Sequence, residues 1–338
     1  MARKTRGRNW LEAYENRFDI MGKAKIWFLI SAIVIGLGLF SIFTRGFNFG
    51  IDFTGGTIID LKFNQAVTLQ DIRTSLDKYG LSNATIQLSG DASNIESSEN
   101  VMIRTLDLEE TERKTIMASL ASDVGEYTVL REEKVGAVIG DELIEDAILA
   151  TIWSWIAIII YVSFRFEWRF GVAAVLGLVH NVIIVLAVFS FTQKQVDSSF
   201  VAALLTVIGY SINDTIVIFD RIRENLRLHF RRGTDVSKLA NASIYQSLTR
   251  SIYTVVTCVF TTVALYWFGG DTTKDFAFAL MVGFTVGCYT SIFIASPLWV
   301  ALKKRDTKPK TEDSAGEGEA EAKVDLAKAQ QVEVKLLV

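Results

Sequence analysis

The sequence has few cysteines and prolines, and these shortages limit the classes of protein it can encode. Cys258 and Cys288 lie inside apolar runs, without the number or spacing of a disulfide framework or a metal site. Pro297 and Pro309 both lie near the C-terminal end, so earlier helices need not be interrupted, and only the last apolar run should be. The sequence also lacks a phosphate-binding loop and the pattern of a nucleophilic triad. These absences argue against an enzyme.

Apolar residues are abundant and are gathered into long runs. They make up 50% of the 338 residues, and each run has about the length, roughly 20 residues, that a helix needs to cross a bilayer. The runs cover residues 26–43, 147–164, 170–191, 200–219, 251–268 and 276–302. The sequence therefore predicts an α-helical membrane protein with a bundle of six transmembrane helices.

Residues 44–146, between the first two runs, have the composition of a soluble insert. Alternating segments at 57–63, 84–88, 101–105 and 127–131 predict four strands. Thr68 with Asp71 forms a capping box that opens one helix, and Asp107 with Glu110 opens a second. The resulting order, βαββαβ, is that of a ferredoxin-like domain. The segment 52–56, which ends in two glycines, is interpreted as a tight turn at the edge of this insert.

Positive charge is concentrated on one side of the predicted membrane. Residues 1–25, the connections at 165–169 and 221–238, and residues 303–305 are all basic, whereas the other connections are not. The positive-inside rule then predicts that both termini are cytoplasmic and that the insert is extracytoplasmic. Residues 1–25 are interpreted as an interfacial helix and residues 303–338 as a disordered cytoplasmic tail. The basic connection 221–238 should meet membrane lipids or a cytoplasmic partner, and no nucleic acid.

The fourth apolar run contains an acid. Asp214 follows Asn213 and lies at four-residue spacings from Tyr210 and Thr206. A carboxylate within a membrane span costs roughly 2.5–3.5 kcal/mol on insertion scales and marks a functional site by default. We predict that Asp214 carries protons or forms half of a gating ion pair. The alternative is a carboxyl that only hydrogen-bonds to neighbouring helices.

The fifth apolar run begins next to a cation. Arg250 opens a polar stripe that continues through Thr254, Thr257 and Thr261. Arg250 and Asp214 should lie in the same half of the membrane, so we expect them to pair and to separate when the carboxyl is protonated. The alternative is that Arg250 extends to the lipid headgroups.

The third and sixth runs hold weaker signals. His180, beside Asn181, lies midway along the third run and could relay protons, or could make a neutral hydrogen bond between helices. Gly283 and Gly287 form a GxxxG pattern that predicts close helix packing. The predicted proton path comprises Thr206, Tyr210, Asn213, Asp214, Arg250, Thr254, Thr257 and His180.

Four motifs resemble one known family: FNFGIDFTGGT after the first run, FRFEWR after the second, GYSINDTIVIFDRIREN in the fourth and LTRS before the fifth. They are similar to the SecF subunits of the SecD/SecF family, within the resistance-nodulation-division group of proton-driven transporters. The resemblance covers about residues 26–305. It implies that Asp214 and Arg250 are the proton-path residues. Many relatives read His-Asp where this chain has His180-Asn181, so a second acid is missing.

The resemblance also implies a function and partners. Such a subunit pairs with SecD, joins the SecYEG channel in the bacterial cytoplasmic membrane, and uses the proton-motive force to help export unfolded preproteins. YajC and YidC are further partners that it suggests, and the coupling ion is the proton, with no other cofactor. Two alternatives stay open: a passive scaffold that stabilises the translocon, and half of a small-molecule or lipid exporter.

Overall fold

The computed structural model describes residues 11, 14, 17–81, 84–89, 97–105, 108–229 and 234–307. Within these residues, six helical spans are long and apolar enough to cross a membrane, as predicted. The elements, in chain order, are α1 (Ala24–Arg45), β1 (Asn48–Phe49), α2 (Ile51–Thr54), β2 (Gly56–Thr68), α3 (Leu69–Asp77), β3 (Thr85–Ser89), β4 (Ser97–Thr105), α4 (Glu110–Asp123), β5 (Tyr127–Val135), α5 (Ala137–Arg165), α6 (Trp168–Thr192), β6 (Gln195–Val196), α7 (Ser198–His229), α8 (Val236–Phe268), α9 (Asp271–Thr290), a π turn (Ser291–Ala295) and α10 (Ser296–Thr307). The sixth span consists of α9, the π turn and α10.

Several helices are longer than the apolar runs that predict them. Helix α5 begins at Ala137 rather than at residue 147, and α7 continues to His229. The predicted loop 221–238 is therefore mostly helix, because arginine, glutamate and leucine propagate a helix well beyond an apolar run. Ion pairs within α7, such as Arg221–Glu224 at 2.7 Å, support this extension. We call the end of the bundle where α5, α7 and α10 finish the basic end, and the opposite end the insert end.

The core of the bundle is built by α6, α7 and the sixth span. In their most apolar stretches, 61%, 50% and 56% of residues are buried, against 17%, 6% and 11% in α1, α5 and α8. Aromatic rings fill the basic half of this core, where Phe170 stacks on Trp299 with centroids 4.7 Å apart. Helices α1, α5 and α8 therefore lie on the outside and present apolar faces that the other described residues leave exposed.

The GxxxG pattern brings the sixth span close to α7, as predicted. A Cβ placed on Gly283 would lie 2.2 Å from Cγ2 of Val207, and one on Gly287 would lie 3.2 Å from Cβ of Ser211. These two glycines therefore determine how closely the sixth span approaches α7.

The sixth span is interrupted near its end, as the position of Pro297 predicts. Proline has no N–H and collides with the carbonyl one turn earlier, so the preceding turn widens into the π turn. The Ser296 hydroxyl donates to the Ser291 carbonyl at 2.8 Å and stabilises the widened turn. The interruption rotates the residues around position 291 relative to a regular helix.

The insert has the predicted βαββαβ order and a ferredoxin-like sheet. The strand order is β3-β4-β2-β5, with all pairs antiparallel. It has a hydrophobic core of its own, built around Leu61, Ile72 and Leu120. The Thr68–Asp71 capping box is formed. The second predicted cap differs: Asp107 lies outside the described residues, and Glu109 precedes α4 without a side-chain cap.

The segment before β2 is more elaborate than the predicted tight turn. It contains β1, which pairs in parallel with β6 of the α6–α7 connection, and the single helical turn α2. Gly55 and Gly56 follow with φ of 67° and 129°. A Cβ on Gly56 would lie 2.4 Å from the Thr105 carbonyl oxygen, so this position requires glycine. The segment thus lies between the insert and the bundle.

The two predicted terminal segments are only partly described. Most of the predicted interfacial helix falls on residues outside the described ones, and residues 17–23 pack on the bundle. Ile20 is buried, its N–H donates to Asn241 of α8 at 3.1 Å, and the Tyr245 hydroxyl donates to the Phe18 carbonyl at 2.8 Å. At the other end, α10 continues to Thr307, and residues 308–338 of the predicted disordered tail lie outside the described part.

Candidate functional site

Asp214 lies on the inner face of α7, where only 9% of its surface is exposed. Its Oδ1 accepts a short hydrogen bond from the Ser251 hydroxyl of α8. Its Oδ2 is buried and has no hydrogen-bond partner among the described residues. A buried polar atom normally has a partner, so the second oxygen marks a place where a proton or a water molecule would be accommodated.

Hydroxyl groups continue the polar region from Asp214 toward the sixth span. Thr215 is hydrogen-bonded to Ser291 of the π turn, with 2.8 Å between the two hydroxyl oxygens. Both hydroxyls are buried, and each also lies 3.0 Å from a carbonyl oxygen of its own helix. With one proton each, the two hydroxyls donate two of these three contacts at a time. Hydroxyls both donate and accept hydrogen bonds, so such a pair can pass a proton. The π turn thus contributes a side chain to the candidate site.

The third span contributes two buried polar residues. His180 Nδ1 lies 2.9 Å from the Thr290 hydroxyl oxygen, while its Nε2 has no partner in the described part of the chain. Asn181 is 1% exposed, and neither its amide oxygen nor its nitrogen is hydrogen-bonded to a described residue. Its nitrogen lies 3.2 Å from the position a Cβ would take on Gly287. Both residues were noted from the sequence, which left their roles open.

These side chains form one buried cluster at the meeting of α6, α7, α8 and the sixth span. We call it the polar core; its members are His180, Asn181, Ser211, Asp214, Thr215, Ser251, Thr290 and Ser291.

The predicted ion pair between Asp214 and Arg250 is not formed: no ion pair joins these side chains in the described ranges, and Arg250 is exposed. Ser251 takes the inward position instead. Consecutive residues of a helix point about 100° apart, so Arg250 and Ser251 cannot both face Asp214. Thr254 and Thr257 lie on the exposed face with Arg250, and their hydroxyls donate to carbonyls of α8 itself.

The polar stripe predicted on α7 is also divided. Thr206 and Asn213 are exposed, and the Thr206 hydroxyl donates to the Ala202 carbonyl. Tyr210 is half-buried with its ring 4.3 Å from that of Phe284, and its buried hydroxyl has no hydrogen bond to any described residue. The four-residue spacing drifts around a 3.6-residue helix, so only part of the stripe faces inward.

Sequence reasoning missed the hydroxyl members of the polar core. Ser251, Thr215 and Ser291 are common residues of apolar helices, and nothing in their local pattern separates them from packing residues. Two signals were present: Ser251 ends the LTRS motif, and Ser291 lies just before Pro297. Each of these signals points only to a region of the chain. The packing of the helices decides which hydroxyl in that region reaches Asp214.

A cleft of 320 Å³ opens at the basic end and extends toward the polar core. Its lining includes Arg250 and Ser247 of α8 and Asp220 of α7. Ser247 precedes Ser251 by one helical turn, so the cleft ends about one turn from the hydroxyl that holds Asp214.

The structure is a six-span helical bundle with a buried carboxyl at its centre and a ferredoxin-like insert after its first span. These features define its class, a polytopic membrane protein with a folded insert. Comparisons with known proteins identify the family. The model described as protein export membrane protein SecD/SecF, C-terminal, matches residues 115–305, and that of the SecD/SecF GG motif matches residues 40–67. The chain belongs to the SecD/SecF family.

Individual relatives agree with this assignment. The protein translocase subunit SecF of Acidaminococcus fermentans is 47% identical over 289 residues, covering 86% of this chain and 98% of the relative. That of Vibrio alginolyticus is 43% identical over 293 residues, covering 85% and 90%. The crystal structure of SecDF from Thermus thermophilus, described as a translocon-associated membrane protein, is 37% identical with a TM-score of 0.77. It is matched over 86% of this chain, which spans 39% of the solved chain.

Proposed function

We propose that this chain is an accessory subunit of the Sec preprotein translocase that couples the proton-motive force to protein export, and that it has no enzymatic activity of its own. The observation that carries the proposal is the buried carboxyl of Asp214 in the polar core. The relatives named protein translocase subunit SecF support the translocase role. The proton coupling rests on the chemistry of the site.

Asp214 is the proposed proton carrier. An ionisable group within a membrane span is costly and is retained where it works. One oxygen of Asp214 is held by Ser251, and the other lies buried without a described partner. A proton arriving at the free oxygen neutralises the carboxyl and weakens the hydrogen bond from Ser251, because charge-assisted hydrogen bonds are the stronger kind. Protonation and deprotonation of Asp214 therefore change the strength of the contact between α7 and α8.

The proposed path leads from the polar core to the basic end. The cleft at that end reaches Ser247, one turn from Ser251, and Arg250 lines it. Arg250 acts there as a positive charge in the lining of the cleft that favours release of the proton from Asp214. With the basic end on the cytoplasmic side, the proton leaves inward. Each charge that crosses 100 mV supplies about 2.3 kcal/mol, comparable to several weakened hydrogen bonds.

SecD is the proposed membrane partner. The exposed face of α8 carries Arg250, Thr254, Thr257 and Thr261, and polar groups on a lipid-facing surface favour contact with another protein. The solved SecDF chain is more than twice as long as the part that this chain matches. A second membrane subunit would cover this face, and the SecYEG channel and an unfolded preprotein would complete the working assembly.

The test compares export driven by the proton gradient in vesicles that carry the parent chain or Asp214→Asn, with Asp146→Asn as control. Asp146 is an exposed carboxyl on α5, away from the cleft and the polar core. We expect Asp214→Asn to lower export to the level seen after a protonophore collapses the gradient, while SecD still co-purifies at parent levels. The control should keep the stimulation.

Two results would contradict the proposal. If Asp214→Asn retains full gradient stimulation, the carboxyl does not carry the coupling proton. If export falls only in proportion to the recovery of the complex, the chain acts as a passive scaffold.

A further inference from the structure

The segment that leads into the insert is attached directly to the first turn of α7 through Asp52. One carboxylate oxygen of Asp52, in α2, accepts hydrogen bonds from both the N–H of Ser198, at 2.9 Å, and its hydroxyl. Ser198 is the first residue of α7. A carboxylate there satisfies an N–H that the helix leaves unpaired and faces the positive end of its dipole. The segment before the insert thus holds the helix that carries Asp214.

A second attachment comes from the sheet of the insert. Arg104, on β4, reaches the α6–α7 connection, where its Nη2 donates to Oε1 of Gln195 at 2.6 Å. Its Nη1 donates to Oδ1 of Asn48, in the paired strand β1, at 3.5 Å. Burial lowers the pKa of Arg104, and the carboxylates of Asp197 and Asp275 oppose this effect. A guanidinium held between planar acceptors fixes direction as well as distance.

The connection that receives these contacts is itself fixed. Lys194 pairs with Asp275 of α9 at 2.7 Å, and the N–H of Gln195 donates to the same carboxylate at 2.9 Å. The N–H of Gly50 donates to the Val196 carbonyl at 2.7 Å. The ends of α1 and α6 and the starts of α7 and α9 are therefore tied together at the point where the insert is seated.

Helix α2 cannot slide freely on its other side. A Cβ placed on Gly140 of α5 would lie 2.7 Å from the Phe53 carbonyl oxygen, so the two backbones are in close contact. The glycines after α2 would otherwise permit the insert to rotate about Gly55 and Gly56. The contact of Arg104 opposes that rotation, and the contact of Asp52, on the bundle side of the glycine pair, fixes α2 to α7.

We infer that Asp52 and Arg104 are positioning residues that make the insert move with α7 as one body, rather than swing about its glycine pair. Asp214 lies about four turns beyond Ser198, on the order of 24 Å along the same helix. A displacement of α7 at the polar core is then delivered to α2 through the Asp52–Ser198 contact, and to the sheet of the insert through the contact of Arg104 with Gln195. The part of this inference that concerns export rests on the proposed function. The attachment of the insert by Asp52 and Arg104, which we call the clamp, does not.

The test measures the distance between insert and bundle in the full chain by double electron–electron resonance. Cys258 and Cys288 are first replaced by alanine, and spin labels are attached through Asp77→Cys on α3 and Thr192→Cys, both exposed positions. We expect a narrow distance distribution in this background and a clearly broader one after Asp52→Asn with Arg104→Gln. Lys62→Gln is the matched control.

The control removes one positive charge from the same sheet, at an exposed position away from the junction. Arg104→Lys, which keeps the charge but not the two-pronged contact, should give an intermediate width, so the result does not depend on a single variant. An unchanged distribution in the double variant overturns the inference.

Export driven by the proton gradient is the second readout. The double variant should lose the stimulation while SecD co-purifies normally; if it keeps the stimulation despite a broadened distribution, the coupling role is wrong. Asp214→Asn separates the two proposals, since it should abolish stimulation while leaving the distance distribution narrow. If Asp214→Asn leaves export unchanged, the proton proposal fails and the distance measurement alone decides the clamp.

Discussion

Ser251 donates its hydroxyl to the Asp214 carboxylate, and Arg250, its neighbour in sequence, lies on the exposed face of the same helix. This relationship separates two tasks that an ion pair would combine. The serine holds the carboxyl at short range, and the arginine provides positive charge in the lining of the cleft. The neighbouring positions can therefore be tested independently.

Replacing Ser251 by alanine should weaken both the bundle and its coupling. The substitution leaves Asp214 Oδ1 buried without its hydroxyl donor, a loss of about 1–3 kcal/mol for a polar group that keeps no other partner. We expect a lower unfolding temperature in detergent and a reduced gradient-stimulated export. Thr285→Ala is the control, because the Thr285 hydroxyl of α9 is exposed and donates to the Met281 carbonyl of its own helix. Equal effects of the two substitutions would argue that Ser251 is a packing residue only.

Arg250 should act through its charge rather than through a fixed contact. Arg250→Lys is then expected to retain most of the gradient-stimulated export, and Arg250→Gln to reduce it. Salt screens exposed charges over roughly 10 Å at 0.1 M. The difference between Lys and Gln at this position should therefore shrink as ionic strength at the basic end is raised in the export assay. A lysine variant as impaired as the glutamine variant, at every ionic strength, would favour a bidentate contact with a partner.

The close approach of the sixth span to α7 should not tolerate a methyl group at Gly283. The added Cβ would lie 2.2 Å from the Val207 side chain, and overpacking of this kind costs about 1–3 kcal/mol. Thermal unfolding of the purified chain should show the loss for Gly283→Ala. Gly209→Ala is the matched control on α7, since no atom lies within 4 Å of its added Cβ. A control as destabilised as Gly283→Ala would point to helix flexibility instead of packing.

The insert should lose a specific stabilising contribution in acid. Hydrogen bonds from Lys78, Ser75 and Ser119 lower the pKa of Asp123 from 3.8 to about 2. The folded pKa is the lower one, so this contribution is present above about pH 4 and is lost as the pH falls toward 2. Pulse proteolysis in urea should therefore show a larger difference between the parent and Asp123→Asn at pH 6 than at pH 3.

The exposed hydroxyl of Ser122, next to Asp123 on α4, provides the comparison for that measurement, because it carries no charge at either pH. Ser122→Ala should change the stability of the insert equally at both pH values. If Asp123→Asn behaves in the same way, the hydrogen bonds to Asp123 do not contribute to folding.

Local patterns predicted the parts of the fold that depend on local physics. The length of each apolar run gave the six spans, alternation gave the four main strands of the insert, and Thr68 with Asp71 gave a helix start that is present as predicted. The ends of the helices were less predictable. Helix α7, for example, continues beyond its apolar run, through charged residues, to His229. The position of Asp214 also followed from sequence, since a lone acid in an apolar run is conspicuous wherever it faces.

The partners of that acid were decided by the tertiary structure. A sequence gives the spacing of residues along one helix, but the rotation of that helix about its axis is fixed only by packing against others. That rotation turns Ser251 inward and Arg250 outward, and the π turn before Pro297 adds Ser291 to the polar core. The contact of Arg104 with Gln195 joins residues 91 positions apart in the chain. Such a pairing has no local signature, because it exists only once the insert is seated on the bundle.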